Sequence, residues 1–152
     1  MSKSKWVLLV EDNENDAKLI TMALNAQPKD YEIVRVCDWA QALEFLCCRG
    51  EYLGRLPENP TLMLLDLKMP RVDGLQVLEH TKGDPVLKTI PVVMLTSSRE
   101  ECDLRRSYEL GANAFVVKPV SFEVFLKALT RIEHFWIEVN EPCPGHGQAL
   151  EA

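Results

Sequence analysis

The sequence predicts an α/β domain in which a doubly wound parallel sheet of five strands is covered by five helices. Apolar strand segments alternate with segments of helical spacing, and each connection is long enough for a right-handed crossover helix. A chain of 152 residues is about one domain. We expect that domain to span 5–139, followed by a flexible C-terminal tail at 140–152, where Pro and Gly interrupt any helix.

Five short apolar segments are the predicted strands. They are WVLLV, YEIVRVC, TLMLLD, PVVMLT and AFVV, at 6–10, 31–37, 61–66, 91–96 and 114–117. Four of them are apolar almost throughout, which is typical of strands buried on both faces, whereas the second alternates polar and apolar residues.

The segments between the strands carry helix start and stop signals. Asn13 or Asn15 is placed to cap the first helix, Asp38 the second and Ser121 the last. Gly111 follows the fourth helix and suits a left-handed C-terminal cap. The middle helices are predicted at 39–46, 74–82 and 100–110, and the Gly/Pro-interrupted residues 48–60 are predicted to form an extended loop.

Composition and charge narrow the possible partners. A net charge of −6 argues against a nucleic-acid groove, which needs a basic face. The first ten residues contain too few apolar residues for a signal peptide or a membrane span. The five cysteines have no disulfide-framework spacing, which favours reduced thiols. We therefore expect a cytoplasmic protein that binds neither nucleic acid nor membrane.

Polar residues follow four of the predicted strands at the point where each strand ends. Glu11 and Asp12 follow the first, Asp66 the third, Thr96 ends the fourth, and Lys118 follows the fifth. Ligands bind at the carboxyl ends of strands in open parallel sheets, because successive loops converge there. A helix cap, a strand-end hydroxyl or a surface lysine would explain any one of these residues alone, but not all of them together. The set predicts phosphoryl chemistry on a carboxylate.

Each of these residue types has a part in such chemistry. Mg²⁺ prefers oxygen ligands and takes one or two carboxylates, which Glu11, Asp12 and Asp66 would supply. A carboxylate can accept a phosphoryl group, so Asp66 is the candidate nucleophile. The Thr96 hydroxyl and the Lys118 ammonium would then hold phosphoryl oxygens. The Lys118–Pro119 bond is a candidate cis peptide that would aim the lysine inward.

These motifs together resemble the receiver domain of two-component response regulators, over about residues 5 to 138. The family pattern is an acidic pair, then D-x-x-M-P-x-x-D-G, then Thr or Ser, then K-P. It is present as EDN from Glu11, DLKMPRVDG from Asp66, TSS from Thr96, and Lys118–Pro119. The resemblance implies the flavodoxin-like strand order 2-1-3-4-5.

The resemblance also implies a role for each residue of the pattern. Asp66 would be the phosphoacceptor, and Asp12, Asp66 and the Lys68 carbonyl would bind Mg²⁺, with Glu11 acting through water. Thr96 would be a switch residue. Phe115, three residues before the lysine, matches the family's aromatic switch residue, for which a buried packing aromatic is the alternative.

A narrower resemblance concerns the partner. The long connection at 48–60, the runs LKTIPVVMLTSS and SYELGANAFVVKPVSFEVF, and the late FW pair are similar to single-domain regulators paired with phytochrome histidine kinases. We therefore expect a stand-alone regulator that receives a phosphoryl group from a sensor histidine kinase. It would catalyse only its own phosphorylation and dephosphorylation, and would signal through a downstream protein target or phosphotransfer protein.

Two other classes of protein remain possible at this point. An aspartyl-nucleophile phosphatase or phosphotransferase of the haloacid-dehalogenase type has a D-x-D motif, but Lys68 stands where the second acid would be. A flavodoxin-like FMN-binding protein needs a hydroxyl- and Gly-rich first loop, whereas this one reads EDNENDA. An acidic loop would repel a phosphate.

The end of the last helix suggests a homodimer. Phe135 and Trp136, with the apolar residues that follow them, make this end apolar nearly all round, which is more than one core-facing stripe can bury. We therefore place a dimer interface at Phe135 and Trp136. The alternative is that the tail after residue 140 folds back over them.

Overall fold

A five-stranded parallel sheet forms the centre of the protein, in the order β2-β1-β3-β4-β5. The computed structural model describes residues 5–26, 31–48, 59–67 and 74–144, apart from the side chain at position 39. The strands are β1 (Lys5–Val10), β2 (Tyr31–Val36), β3 (Leu62–Leu65), β4 (Val92–Thr96) and β5 (Ala114–Val117). The predicted fold class, strand order and strand positions are confirmed.

Five α-helices alternate with the strands. They are α1 (Glu14–Leu24), α2 (Trp39–Leu46), α3 (Gly74–Gly83), α4 (Glu101–Glu109) and α5 (Phe122–Glu133). The described residues also contain two short helical turns that were not predicted. They are a 3-10 helix at Leu87–Thr89 and a π-helical turn at His134–Val139 that continues α5.

The predicted caps decide where these helices begin and end. Asn13 caps α1 by accepting a hydrogen bond from the Asp16 N–H at 3.0 Å, and Asp38 caps α2 through the Gln41 N–H at 2.8 Å. Ser121 accepts from the Val124 N–H at the start of α5. After α4, Gly111 adopts the predicted positive φ, here 105°.

Both faces of the sheet are covered, because successive strand residues point to opposite faces. The buried residues of α1 and α5 pack on one face of the sheet, around Val7, Leu9 and Leu64. Those of α2 and α3 pack on the other face, around Leu8, Met63 and Met94. The central strands are therefore buried on both sides, and their carboxyl ends form one polar edge.

The C-terminal helical end is less exposed than its sequence suggests. The π-helical turn directs Ile137 into the core beside α1 and α5, where it is 4% exposed, and Trp136 is half-buried against the same layer. Lys5 donates a hydrogen bond to the Ile137 carbonyl at 2.6 Å and so ties this turn to β1. Phe135 and Val139 remain 47% and 54% exposed.

Two predicted segments are only partly described. Most of the predicted loop at 48–60 and the end of the predicted tail lie outside the described residues. All five cysteines are free thiols, as predicted. In the described part of the chain, the helices are too short or too polar for any of them to span a membrane.

Candidate functional site

Strand register brings the predicted polar residues to one edge of the sheet. Val10 of β1 is paired with Leu65 of β3, so Glu11 and Asp66 emerge side by side, and the Asp66 N–H donates to the Val10 carbonyl at 3.1 Å. On the other side of the site, the Lys118 N–H donates to the Thr96 carbonyl at 2.7 Å. The backbone ladder therefore fixes where each of these side chains starts.

The carboxylates of Glu11, Asp12 and Asp66 form a tight acidic cluster. One oxygen from each lies within 4.8 Å of the others, and Glu11 and Asp66 are 0% and 8% exposed. Burial, and then the neighbouring Asp66 carboxylate, raise the pKa of Glu11 from 4.5 to about 8. The buried Oε2 of Glu11 has no hydrogen-bond partner among the described residues. Such a cluster fits a hard divalent cation.

Lys118 supplies the positive charge of the site. Its Nζ lies 2.8 Å from Glu11 Oε1, 3.1 Å from Asp16 Oδ2 and 3.6 Å from Asp66 Oδ2. Burial alone would lower the pKa of this ammonium, but the carboxylates of Glu11, Asp66 and Asp16 outweigh burial and raise it. Lys118 is therefore a fixed cation that faces the proposed phosphoacceptor.

Arg35 is a site residue that sequence reasoning missed. Its guanidinium extends from β2, donates from Nε to the Glu11 carbonyl at 3.0 Å, and donates from Nη2 to the Asp12 carbonyl at 3.3 Å. It therefore holds the backbone of the acidic pair. The sequence signal that could have indicated this role is a single arginine in the otherwise apolar second half of the strand YEIVRV.

Asp16 was missed for a different reason. It lies in the first turn of α1, where acidic residues are common because they favour the helix dipole. In the structure its carboxylate reaches across to Lys118 and is 41% exposed at the solvent side of the site. The sequence places Asp16 near the site but does not indicate that it contacts the lysine.

Thr96 connects the site to helix α4. Its side chain is buried, and its Oγ1 accepts a hydrogen bond from the Ser98 N–H at 3.1 Å. The Ser98 hydroxyl in turn donates to Asp103 Oδ2 at 2.6 Å, at the start of α4. The hydroxyl of Thr96 therefore bonds the loop that leads into α4.

The glycine of the motif that begins at Asp66 has a steric role. Gly74 begins α3, and its N–H donates to the Leu67 carbonyl at 2.9 Å. A side chain at this position would collide with the backbone of Asp66 and Leu67. Gly74 therefore lets α3 start directly behind the proposed phosphoacceptor.

Three other predictions, for Phe115, the Lys118–Pro119 bond and Lys68, have different outcomes. Phe115 is half-buried and packs against the α2 and α3 layer, so its role as a switch stays a prediction. The Lys118–Pro119 bond, a candidate cis peptide, is trans, since no described peptide bond is cis. A trans bond already lets Lys118 reach the three carboxylates. Lys68 lies outside the described residues.

Comparison with known proteins identifies the family. The family model for the response regulator receiver domain matches residues 7–130, which include most of β1, the four other strands and the whole site. The chain belongs to the response regulator receiver family. It is therefore a receiver-domain response regulator that works by phosphorylation-based signalling.

The relatives of this receiver domain include phytochrome-associated regulators. Response regulator Rcp1 of Synechocystis sp. is 40% identical over 134 residues, which cover 88% of this chain and 90% of the relative. The phosphorylated cyanobacterial phytochrome response regulator RcpA has a TM-score of 0.86 at 38% identity, covering 92% of this chain and 99% of that one. The bacteriophytochrome response regulator AtBRR is 51% identical and has a TM-score of 0.73. The match covers 92% of this chain and 100% of that one.

Family membership also bears on the metal and on the alternative functions. Receiver domains bind a divalent metal ion at the acidic pocket, and one structure of Rcp1 is a Mn²⁺-bound form. The Glu11, Asp12 and Asp66 cluster fits such an ion in this chain. The haloacid-dehalogenase and FMN-binding alternatives are not favoured.

Proposed function

We propose that Asp66 accepts a phosphoryl group from the phosphohistidine of a sensor histidine kinase. The observation that carries this proposal is the position of the Asp66 side chain. This side chain is 10% exposed at the end of β3, and its Oδ2 lies 3.6 Å from Lys118 Nζ. A nucleophile at this edge is accessible to an incoming phosphoryl group and has a fixed cation beside it.

The transfer itself is a substitution at phosphorus. An Asp66 carboxylate oxygen forms the new bond to phosphorus, the bond from phosphorus to the kinase histidine nitrogen breaks, and its electron pair stays on the imidazole. Lys118 balances charge on the phosphoryl oxygens, and Arg35 keeps the acidic pair in place. Hydrolysis by water later releases phosphate and restores the carboxylate, so the chain catalyses only its own phosphorylation and dephosphorylation.

We propose Mg²⁺ as the physiological ion of the acidic pocket. Asp12 and Asp66 would hold it directly, and Glu11 would act through water. When bound, the ion neutralises charge on the transferring group.

Mass spectrometry tests this proposal. Incubation with acetyl phosphate and Mg²⁺ should add one phosphoryl group to the wild-type chain, and Asp66→Asn should abolish the gain because an amide is not a comparable nucleophile. Glu44→Gln removes the same charge from an exposed position on α2 and should leave the mass gain intact. A phosphoryl adduct on the Asp66→Asn protein would overturn the assignment.

We further propose that the partner kinase is of the phytochrome type. The support is the identity shared with RcpA and AtBRR over more than nine-tenths of this chain. Purified phytochrome-type and unrelated histidine kinases, each autophosphorylated, should be compared for the rate of transfer to this chain. Equal rates from both would contradict a dedicated phytochrome partner.

Phosphorylation is proposed to change protein contacts through Thr96 and Phe115. Thr96 would exchange its bond to the Ser98 N–H for a phosphoryl oxygen, which loosens the start of α4. Phe115 lies on β5, which is paired with β4, and would move inward. A downstream protein target or phosphotransfer protein would then bind the altered surface. Thr96→Ala should keep the mass gain but weaken the conformational response to beryllofluoride, measured by amide exchange of α4.

The chain is also proposed to form a homodimer through its C-terminal helical end. Phe135 stacks edge-on against Trp136, with ring centroids 4.9 Å apart, and is about half exposed together with Val139. Light scattering at micromolar concentration should give a dimer mass, and Phe135→Asp should give a monomer. Met22→Asp, on the exposed face of α1, is the control. A monomer mass for the wild type with and without beryllofluoride would refute the dimer.

A further inference from the structure

Asp16 is a third carboxylate partner of Lys118. Lys118 already has a buried partner in Glu11, at 2.8 Å, and faces Asp66 at 3.6 Å. Asp16 adds a third carboxylate at 3.1 Å from a different element, the first turn of α1. The extra carboxylate therefore raises the question of what it does to the lysine.

The three carboxylates differ in how easily they can be displaced. The side chain of Glu11 is 1% exposed and that of Asp66 is 10% exposed, whereas Asp16 is 41% exposed at the mouth of the site. A phosphoryl group on Asp66 would lie near Lys118 Nζ, which is 3.6 Å from Asp66 Oδ2 and 3.1 Å from Asp16 Oδ2. Of the three carboxylates around the ammonium, that of Asp16 is the most exposed and is therefore the most readily displaced.

We propose that Asp16 is a positioning residue that competes with the phosphoryl group for the Lys118 ammonium. In the unphosphorylated protein the Asp16 carboxylate binds Lys118 and neutralises part of its charge. A phosphoryl group on Asp66 takes over this contact, and its own charge repels the carboxylate of Asp16. This inference rests on the proposed phosphorylation of Asp66.

The consequence is that the site binds phosphoryl-like anions more weakly than it would if Lys118 had no contact with Asp16. Removing the Asp16 charge should strengthen binding of the phosphoryl analogue beryllofluoride to the Mg²⁺-saturated protein. Because Asp16 is partly exposed, the expected change is that of a surface charge pair, about two- to fivefold in the dissociation constant.

Calorimetric titration with beryllofluoride at saturating Mg²⁺ tests the inference. Asp16→Asn should bind it about two- to fivefold more tightly than the wild type, and Asp16→Glu should restore most of the wild-type affinity because it restores a carboxylate. Glu14→Gln is the matched control. It removes the same charge from the same helical turn, but Glu14 is 76% exposed and faces Arg35, at 4.0 Å, instead of Lys118.

The possible outcomes separate this inference from the proposed function. Unchanged or weaker binding by Asp16→Asn, or equal tightening by Glu14→Gln, would overturn the competition. A merely structural role for Asp16 would lower the urea midpoint and weaken binding, which is the opposite sign. Asp66→Asn should bind no beryllofluoride, and if it binds normally, the proposed phosphoacceptor is wrong, whatever Asp16 does.

Discussion

Asp12→Asn should make the metal-free protein more stable and the metal-bound protein less stable. The Asp12 carboxylate is half-buried and has an oxygen within 4.8 Å of carboxylate oxygens on Glu11 and Asp66. Two unit charges at 4.8 Å repel by about 3 kcal/mol at an effective dielectric constant of about 20. An amide removes this repulsion and keeps the shape of the side chain.

The expected size of the change follows from the exposure of Asp12. Solvent screening of a half-buried charge reduces the repulsion, so we expect a gain of about 1–2 kcal/mol in the free energy of unfolding without metal. For a domain of this length, that gain corresponds to a rise of about 2–8 °C in Tm. The hydrogen bond from Arg35 to the Asp12 backbone carbonyl survives the substitution.

The divalent ion should reverse the order of stability, so that the wild type becomes more stable than Asp12→Asn. An ion at a concentration one hundred times its dissociation constant stabilises the wild type by about 2.7 kcal/mol, and the variant loses most of this gain because it lacks one ligand. The assay is thermal unfolding in chelator and in saturating Mg²⁺ or Mn²⁺.

The control for this experiment is Glu44→Gln, which removes one exposed charge of α2 far from the cluster and should change neither measurement. If Asp12→Asn has the lower Tm in chelator while Glu44→Gln is neutral, carboxylate repulsion does not govern the metal-free state. An undiminished stabilisation of the variant by metal would show that Asp12 is not a ligand.

Three further predictions concern pH, Arg35 and Lys82. Without metal, the free energy of unfolding should fall as pH rises from 4.5 to about 8, because folded Glu11 keeps a proton that the unfolded chain releases. Urea titrations across this pH range should show the slope for the wild type and not for Glu11→Gln. Arg35→Met should weaken Mn²⁺ binding by calorimetry and lower stability by about 1–3 kcal/mol, since two carbonyls lose their donor, with partial recovery in Arg35→Lys. Lys82 donates to the Lys88 and Ile90 carbonyls and to Asn113, so Lys82→Met should cost about 1–3 kcal/mol but leave Mn²⁺ affinity unchanged.

The sequence could predict the part of the site that the backbone determines. Asp66 and Lys118 each follow a short apolar strand directly, and in a parallel sheet the register of neighbouring strands then fixes where their side chains begin. Val10 is paired with Leu65, and Thr96 with Val117. The position of these residues therefore depends on strand order and register, and both follow from the alternation of strands and helices and the family pattern.

The residues that were missed reach the site by side-chain length. Arg35 lies one residue before the end of β2 and extends to the carbonyls of Glu11 and Asp12. Asp16 lies in the first turn of α1 and contacts Lys118 because the lysine, which follows β5 directly, extends to it. Neither contact follows from an apolar pattern, because the pattern fixes which face a residue is on but not which rotamer it adopts.

The C-terminal end shows a second limit of periodicity. An α-helical register leaves HFWIEV apolar nearly all round, which predicts a broad exposed patch. The π-helical turn changes the residue spacing there, so that Ile137 packs into the core while Phe135 and Val139 stay outside. A change of helix type has no sequence signature in this segment, and the patch is therefore smaller than predicted.

The charges of the site explain how ligand binding can act on the rest of the molecule. Glu11, Asp12, Asp16 and Asp66 bring four carboxylates to the edge of the sheet, and Lys118 brings one ammonium. In the metal-free protein the raised pKa of Glu11 favours its neutral form, which would limit the repulsion. A divalent cation offsets the same repulsion without that proton, and a phosphoryl group would add negative charge beside the lysine.

Each of these ligands would change the partner of the same charged atoms, and the backbone offers a route from these atoms to α4. The Lys118 N–H is bonded to the Thr96 carbonyl, so the loops after β4 and β5 are joined at the site. Thr96 Oγ1 accepts from the Ser98 N–H, and the Ser98 hydroxyl donates to Asp103 on α4. A new partner for the Thr96 hydroxyl would therefore break a bond to the loop that leads into α4, which is the first step of the response proposed here.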